Sequence, residues 1–179
     1  MRKALFFLGI LNDSDMSWII SEGRKLVVPP GTILIQEGTA TDSLFIVLEG
    51  KLAVSTAGTG EKIIAQLMCG EIVGEMSFID SRPPSASVRA IETASVLSVS
   101  RELLTRKLER DDAFAARFYR ALAVFLSDRL RHTVGLLGYG ANQPLEDREY
   151  ADEIDPDTLD RVSLAGARFD LLQRKLRSM

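Results

Sequence analysis

The chain has 179 residues, of which 46% are hydrophobic and 26% are charged. This length fits one domain of ordinary size with an appendage. The composition is that of a soluble globular protein, which disfavours the disordered, collagenous and disulfide-scaffold classes. The formal net charge of −3 provides no general attraction to phosphate backbones or anionic lipid, so bulk nucleic-acid binding is not expected.

Two features of the sequence predict a cytoplasmic protein. Cys69 is the single cysteine, and a lone thiol that cannot form an intramolecular disulfide favours a reducing compartment. The N-terminal segment has the basic start and apolar run of a signal peptide, but the run is short, ends before Asn12 and lacks a small-residue cleavage site. No other window approaches the roughly 20 apolar residues that a membrane span requires.

Helical pieces are predicted over residues 5–20, where Asp13 and Ser14 can cap a helix. From Lys25 onwards the sequence changes to short β-rich runs divided by glycine and proline, which are strand and turn signals. Strands are predicted over residues 26–28, 32–35, 44–48, 52–54, 63–67, 85–91 and 94–99, with an interruption over residues 69–84. Short strands at a spacing of about ten residues are typical of a sandwich, a barrel or a jelly roll.

Two helices are predicted after the last strand. Ser100 can cap the first, and Asp111 can cap a longer helix over residues 111–137, which carries an apolar stripe at three- and four-residue steps. The stripe consists of Phe114, Phe118, Leu122, Phe125, Leu126 and Leu130. This helix is longer than a small barrel needs, so we expect part of the stripe to pack against a second copy of the chain in a homodimer. The alternative is that the helix packs only on its own barrel.

The composition changes again after residue 137. Residues 146–160 carry eight acidic residues against a single arginine, which favours a solvated linker. Pro156 can open a last amphipathic helix from about residue 157. We therefore expect a domain over residues 1–137, including its flanking helices. An acidic linker and a C-terminal helix follow over residues 138–179, and this helix is a candidate docking segment for a protein partner.

Three local patterns resemble the cyclic nucleotide-binding domain family, which includes the catabolite activator and the regulatory subunits of protein kinase A. Residues 30–38 resemble its second-strand turn, and residues 44–52 resemble its apolar-strand-to-glycine signature. Residues 70–78, with the sequence Gly-Glu-Ile-Val-Gly-Glu-Met-Ser-Phe, run on to residues 82–88 and resemble its phosphate-binding cassette. The resemblance implies a mainly β fold with flanking helices (α+β), a double-stranded β-helix or jelly-roll barrel that ends in a long helix.

The cassette implies a site for a cyclic nucleotide, either cyclic AMP or cyclic GMP. Gly74 lets a ligand approach the backbone closely, and a short helix that opens at Glu75 aims free N–H groups at an anion. In the family, the residue that matches Glu75 accepts a hydrogen bond from the ribose 2′-hydroxyl, and the residue that matches Ser87 helps to hold the phosphate. The candidate ligand-binding residues are Gly74, Glu75, Met76, Ser77, Arg82, Ser85, Ala86 and Ser87.

The sequence departs from the family at the arginine that holds the phosphate. The aligned position is Pro84, which offers neither a guanidinium nor a backbone N–H. A charge-assisted hydrogen bond contributes about 1.5–3 kcal/mol, so its loss corresponds to roughly ten- to a hundredfold in affinity. Arg82 is a candidate substitute, although polyproline geometry turns positions 82 and 84 in different directions.

Two functions follow from these observations. The favoured one is a bacterial regulatory protein, a sensor of a cyclic nucleotide in signal transduction; the alternative is a degenerate module that uses the fold for homodimerisation or protein docking. An enzyme is not expected, because no nucleophile-base pair or glycine-rich nucleotide motif is present and the single histidine, His132, cannot form a cupin metal site. DNA binding is not expected either, since residues 138–179 leave no room for a helix-turn-helix module.

Overall fold

The computed structural model describes residues 9–59, 62–137, 166–171 and 173–175. The helices are α1 (Asp13–Glu22), α2 (Glu75–Asp80), α3 (Arg101–Arg110) and α4 (Asp112–Leu137). The strands are β1 (Arg24–Val28), β2 (Ile33–Ile35), β3 (Ser43–Glu49), β4 (Leu52–Ser55), β5 (Ile63–Leu67), β6 (Ile72–Val73), β7 (Ser87–Ala90) and β8 (Ala94–Ser100).

The strands form two four-stranded sheets. Their orders are β1-β8-β3-β6 and β2-β7-β4-β5, and neighbouring strands pair antiparallel. Together with the flanking helices this confirms the predicted jelly-roll-like α+β fold. The interruption predicted over residues 69–84 contains the short strand β6 and the short helix α2.

Strand β3 separates two hydrophobic cores. Phe45 and Val47 belong to the core between the two sheets, whereas Leu44, Ile46 and Leu48 belong to the core between the first sheet and the helices. Because successive side chains of a strand point to opposite faces, both faces of β3 are buried. This explains why its sequence is a continuous apolar run rather than an alternating one.

Helix α4 packs its phenylalanines on the barrel. Its start is set by Asp111, whose Oδ1 accepts a hydrogen bond from the Phe114 N–H at 2.9 Å, so the predicted cap is confirmed. Phe114, Phe118 and Phe125 are each at most 3% exposed. Ser100 does precede α3, but its side chain makes no capping hydrogen bond, so only its position was predicted correctly.

The N-terminal end of α1 is tied to α4 by a buried ion pair. The N-cap of α1 is Asn12 rather than Asp13 or Ser14, because Asn12 has the extended backbone of a cap and exchanges hydrogen bonds with Asp15 in a capping box. Asp15 is 2% exposed. Its carboxylate accepts bonds from Arg117 Nε at 2.6 Å and from Arg117 Nη2 at 2.8 Å, a bidentate pair that joins the two helices.

The described part of the C-terminal segment, residues 166–171 and 173–175, is helical and contacts the chain's own barrel. Phe169 packs against the core beneath the helices. Arg168 Nε donates to Asp13 Oδ1 at 2.8 Å, and Gln173 Nε2 donates to the Leu48 carbonyl at 2.9 Å. The start of the helix predicted near residue 157 lies outside the described residues, and docking of this segment on another protein stays a prediction.

In the part of the chain that the structure describes, no helix combines the length and the apolar character needed to cross a membrane. Within the same residues, no group of three or more histidine, cysteine, aspartate or glutamate side chains is placed to hold a metal ion.

Gly50 closes the turn from β3 to β4 against the start of β8, and its replacement by alanine should be costly. Its φ is +83°, and an added Cβ would lie 2.6 Å from the Thr93 carbonyl oxygen and 2.7 Å from Ala94 Cα. We expect Gly50→Ala to lower the free energy of unfolding by about 2–4 kcal/mol, because backbone strain and overpacking add. Urea denaturation of the purified protein measures the loss.

The matched control is Gly31→Ala. Gly31 has a φ of +81°, but an added Cβ would meet nothing within 4 Å, so only the backbone term of about 1–2 kcal/mol remains. Equal losses for the two variants would contradict the close-contact argument at Gly50.

Candidate functional site

The candidate site is built at the junction between β6 and α2. Gly74 lies between them with a φ of +90°, in the left-handed region, and an added Cβ would stand 3.0 Å from the Ser43 carbonyl oxygen. Glycine is therefore the residue that lets the chain turn here while it stays against β3. The turn places Glu75 as the first residue of α2.

Glu75 is a buried carboxylate with a cationic partner on α4. It is 2% exposed, and its Oε1 accepts a hydrogen bond from Arg129 Nη1. The second terminal nitrogen of Arg129, Nη2, donates to the Ile72 carbonyl at 3.2 Å. The Arg129 guanidinium also lies over the Phe125 ring, 4.7 Å from its centroid, so it is held by a carboxylate, a carbonyl and an aromatic face.

Burial dominates the titration of Glu75. Removal of the carboxylate from water raises its pKa above the ordinary glutamate value, and the positive charge of Arg129 acts in the opposite direction without cancelling this effect. The charge of Arg129 and the backbone hydrogen bonds of Glu75 and Gly74 therefore offset only part of the cost of burying the ionised side chain.

A cavity of about 110 Å³ opens in front of this pair. Six of the eight predicted ligand-binding residues line it, which brings the two parts of the cassette together. They are Gly74, Glu75, Met76, Ser77, Ser85 and Ala86. The remaining wall is mostly apolar and comes from Ile35, Val54, Leu67, Val73, Pro84 and Val88, with Arg129 from α4.

The other two predicted residues lie outside the cavity lining. The Ser87 hydroxyl accepts hydrogen bonds from the Glu37 N–H at 3.0 Å and from Gln36 Nε2 at 3.3 Å, so it joins β7 to the turn after β2. The Arg82 side chain is 84% exposed, with its Nε 3.9 Å from Asp80 Oδ2. The assignment of each of these residues to a ligand stays a prediction.

Pro84 stands in the cavity wall, and the family resemblance predicts an arginine at this position. Its carbonyl accepts a hydrogen bond from the Gly38 N–H at 2.9 Å. The contact fixes the cassette strand to the turn after β2, and it places an apolar ring where a guanidinium is expected.

Sequence reasoning missed Arg129, although a signal for it exists. Leu122, Phe125 and Arg129 recur at the three- and four-residue steps of the buried face of α4. A charged residue on such a face indicates a buried partner, because an unpaired buried charge is costly. The partner itself, Glu75, is 54 residues away in sequence, so the spacing along the helix does not identify it.

Comparison with known proteins gives a family match across the barrel. Residues 25–111 match the cyclic nucleotide-binding domain. A cyclic AMP receptor protein from Thermus thermophilus is 29% identical over 133 residues, which make up 73% of this chain and 59% of that protein. A Pycsar effector protein from Xanthomonas perforans is 30% identical over 112 residues, which make up 62% of this chain and 36% of that protein.

Solved structures show the same architecture. The catabolite activator protein of Thermus thermophilus aligns with a TM-score of 0.59 at 28% identity, over 71% of this chain and 59% of that one. A cyclic nucleotide-binding domain from Methylobacillus flagellatus aligns with a TM-score of 0.68 at 24% identity, over 79% of this chain and 85% of that one. The chain spans only 36%, 14% and 8% of the length of three of its curated relatives.

The raised pKa of Glu75 predicts a pH dependence of stability with a defined sign. Since the folded-state pKa lies above the unfolded value, the folded protein binds the extra proton, and its stability falls as the pH rises through the folded-state pKa. Relative to Glu75→Gln, which does not titrate, wild-type protein should be more stable at pH 5 than at pH 7.5. Urea denaturation at both pH values measures this difference; a larger wild-type advantage at pH 7.5 would mean that the Arg129 pair outweighs burial.

Proposed function

Because residues 25–111 of this chain are a domain of the cyclic nucleotide-binding family, we propose that the protein is a non-enzymatic regulator whose cassette cavity binds cyclic AMP or cyclic GMP. The single observation that carries the proposal is the placement of Glu75. It is a buried carboxylate in the wall of a cavity that both parts of the cassette line. The name of the cyclic AMP receptor protein of Thermus thermophilus supports a nucleotide of this class.

The proposed binding mode uses the groups that the cavity presents. Glu75 accepts a hydrogen bond from the ribose 2′-hydroxyl. The groups nearest to the phosphate are the hydroxyls of Ser77 and Ser85 and the main chain of Ala86. Gly74 permits close approach of the ligand, and the base lies against the apolar wall of Met76, Leu67 and Val54. Arg82 and Ser87 belong to this set only if the cassette rearranges around the ligand.

The proposed output passes through α4. Arg129 belongs to α4, and its hydrogen bond to Glu75 joins that helix to the ligand site. A ligand that donates a hydrogen bond to Glu75 competes with Arg129 for this carboxylate. Its free energy of binding therefore differs between the present position of α4 and a displaced one. Such a difference is what lets a ligand shift a conformational equilibrium.

The proposal includes a homodimer formed by the free side of α4. Tyr119, Leu130 and Val134 are 49%, 64% and 46% exposed, and their spacing of 11 and 4 residues places them near one line along the helix. Large apolar residues that are exposed along one line are typical of a helix-helix interface. Leu130 belongs to the apolar stripe that the sequence predicts, and it does not pack on the barrel.

A degenerate interaction module is the second candidate. The observation that favours it is the combination of Pro84 in the cavity wall with Arg129 already bonded to Glu75. In such a protein the ion pair would close the cavity permanently, and the exposed side of α4 would carry the function alone.

Thermal unfolding with cyclic AMP and with cyclic GMP distinguishes the two candidates. A ligand at a hundred times its dissociation constant stabilises the folded protein by about 2.7 kcal/mol, which corresponds to a rise in Tm of about 5–10 °C for a chain of this size. We expect this rise for at least one of the two nucleotides, and we expect Glu75→Ala to abolish it because the ribose acceptor is removed.

Glu102→Ala is the matched control, because its carboxylate is 78% exposed and pairs with Arg106 on the outer face of α3. It should keep the wild-type rise in Tm. An unchanged Tm of wild-type protein with both nucleotides at millimolar concentration would reject the sensor and leave the interaction module.

Leu130→Glu should convert the dimer to a monomer, because it places a charge in the centre of the apolar line on α4. Multi-angle light scattering over a series of protein concentrations measures the mass. Val27→Glu is the control, since Val27 is 67% exposed on the outside of β1 and should not alter the mass. A wild-type protein that is monomeric throughout the series would refute the dimer.

A further inference from the structure

We propose that Arg129 is the residue that binds the phosphate of the cyclic nucleotide in this chain, in place of the cassette arginine that Pro84 has replaced. The inference rests on the proposed function, since it concerns the same cavity. It assigns the phosphate to a residue of α4, whereas the sequence suggests Arg82 of the cassette.

The charges in the cavity require a cation. A cyclic nucleotide brings one negative charge next to Glu75, which is itself a buried carboxylate. Two like charges at close range in a poorly solvated cavity repel each other strongly. Among the described residues that line the cavity, Arg129 is the only one with a positive charge, so it is the group that can accommodate the second anion.

The neighbouring arginines are placed elsewhere. Arg82 is 84% exposed beside Asp80. Arg101 donates from Nη1 to the Ser77 carbonyl at 2.9 Å and from Nη2 to the Ser81 hydroxyl at 2.8 Å, which holds it at the end of α2. Neither of these two side chains lines the cavity.

Arg129 has a donor that it can exchange. Nη1 is bonded to Glu75, whereas Nη2 donates to the neutral Ile72 carbonyl at 3.2 Å. An anionic phosphate oxygen is a stronger acceptor than a carbonyl. The planar guanidinium presents several donors at once, so it can keep Glu75 on one nitrogen while the phosphate replaces Ile72 on the other.

This arrangement connects the ligand to the helix directly. A cassette arginine holds the phosphate within the barrel, but Arg129 is part of α4. The phosphate therefore binds barrel and helix together, and the affinity for the nucleotide depends on the position of α4.

Isothermal titration calorimetry with cyclic AMP, cyclic GMP and adenosine tests the assignment. Adenosine carries the base and ribose without the phosphate. We expect Arg129→Ala to bind the preferred cyclic nucleotide about ten- to a hundredfold more weakly, because one charge-assisted hydrogen bond is lost. The affinity of this variant for adenosine should stay near the wild-type value. Arg82→Ala, which removes the competing candidate, should bind all three compounds like wild-type protein. Arg129→Lys keeps the charge but not the planar set of donors, so its affinity should lie in between.

The outcomes separate this inference from the proposed function. Two results would overturn the role of Arg129 and leave the sensor intact. In the first, Arg129→Ala binds the cyclic nucleotide as tightly as wild-type protein does. In the second, Arg129→Ala loses affinity for adenosine and for the cyclic nucleotide in equal proportion. A selective loss in Arg82→Ala would assign the phosphate to Arg82 instead. Wild-type protein that binds neither cyclic nucleotide would overturn both. Should Arg129→Ala fail to fold, Arg129→Lys decides, because it preserves a positive charge for Glu75.

Discussion

Two buried carboxylates, Asp15 and Glu75, join the long helix to the rest of the described structure at two points. Each is 2% exposed, and each is bonded to an arginine of α4, Arg117 and Arg129 respectively. These arginines are twelve residues apart in sequence, which is about 18 Å along a helix and about 120° around it. Because a buried charge without its partner is costly, the two pairs oppose both sliding and rotation of α4. The packing of the phenylalanines of α4 is compatible with this position of the helix.

The two ion pairs differ in what surrounds them. Asp15 is enclosed between α1 and α4 and also completes the capping box of α1, so its pair serves the joint between two helices. Glu75 borders a cavity, so a small molecule can reach its pair from outside. In the proposed function, the Asp15 pair therefore fixes one point of α4, and the Glu75 pair is the one whose bonds a ligand would change. The half of the helix beyond Phe125 would be the part that moves.

Much of the fold can be predicted from the sequence, because its signals are local. Glycine and proline mark the turns between the strands, and Asp111 with the stripe from Phe114 to Phe125 predicts the start and the buried face of α4. Strand β6 has two residues and forms by pairing with Phe45 and Ile46 of β3, a contact between distant segments that no local pattern reveals. The cassette could be located by its motif. The partner of Glu75 could not, since only the folded barrel brings α4 to it.

The incomplete compensation of Glu75 bears on how a ligand could bind at all. Burial raises its pKa despite the Arg129 charge, so the folded protein carries part of the cost of burying the ionised carboxylate. A ribose hydroxyl that donates to this carboxylate stabilises its charged form and lowers its pKa, and the gain offsets part of the cost of burial that the free protein carries. The phosphate acts in the opposite direction, because a second negative charge raises the same pKa. Arg129 bonds the carboxylate and, in the binding mode that we propose, also meets the phosphate, so the balance between these two effects would depend on that one side chain and on the helix that carries it.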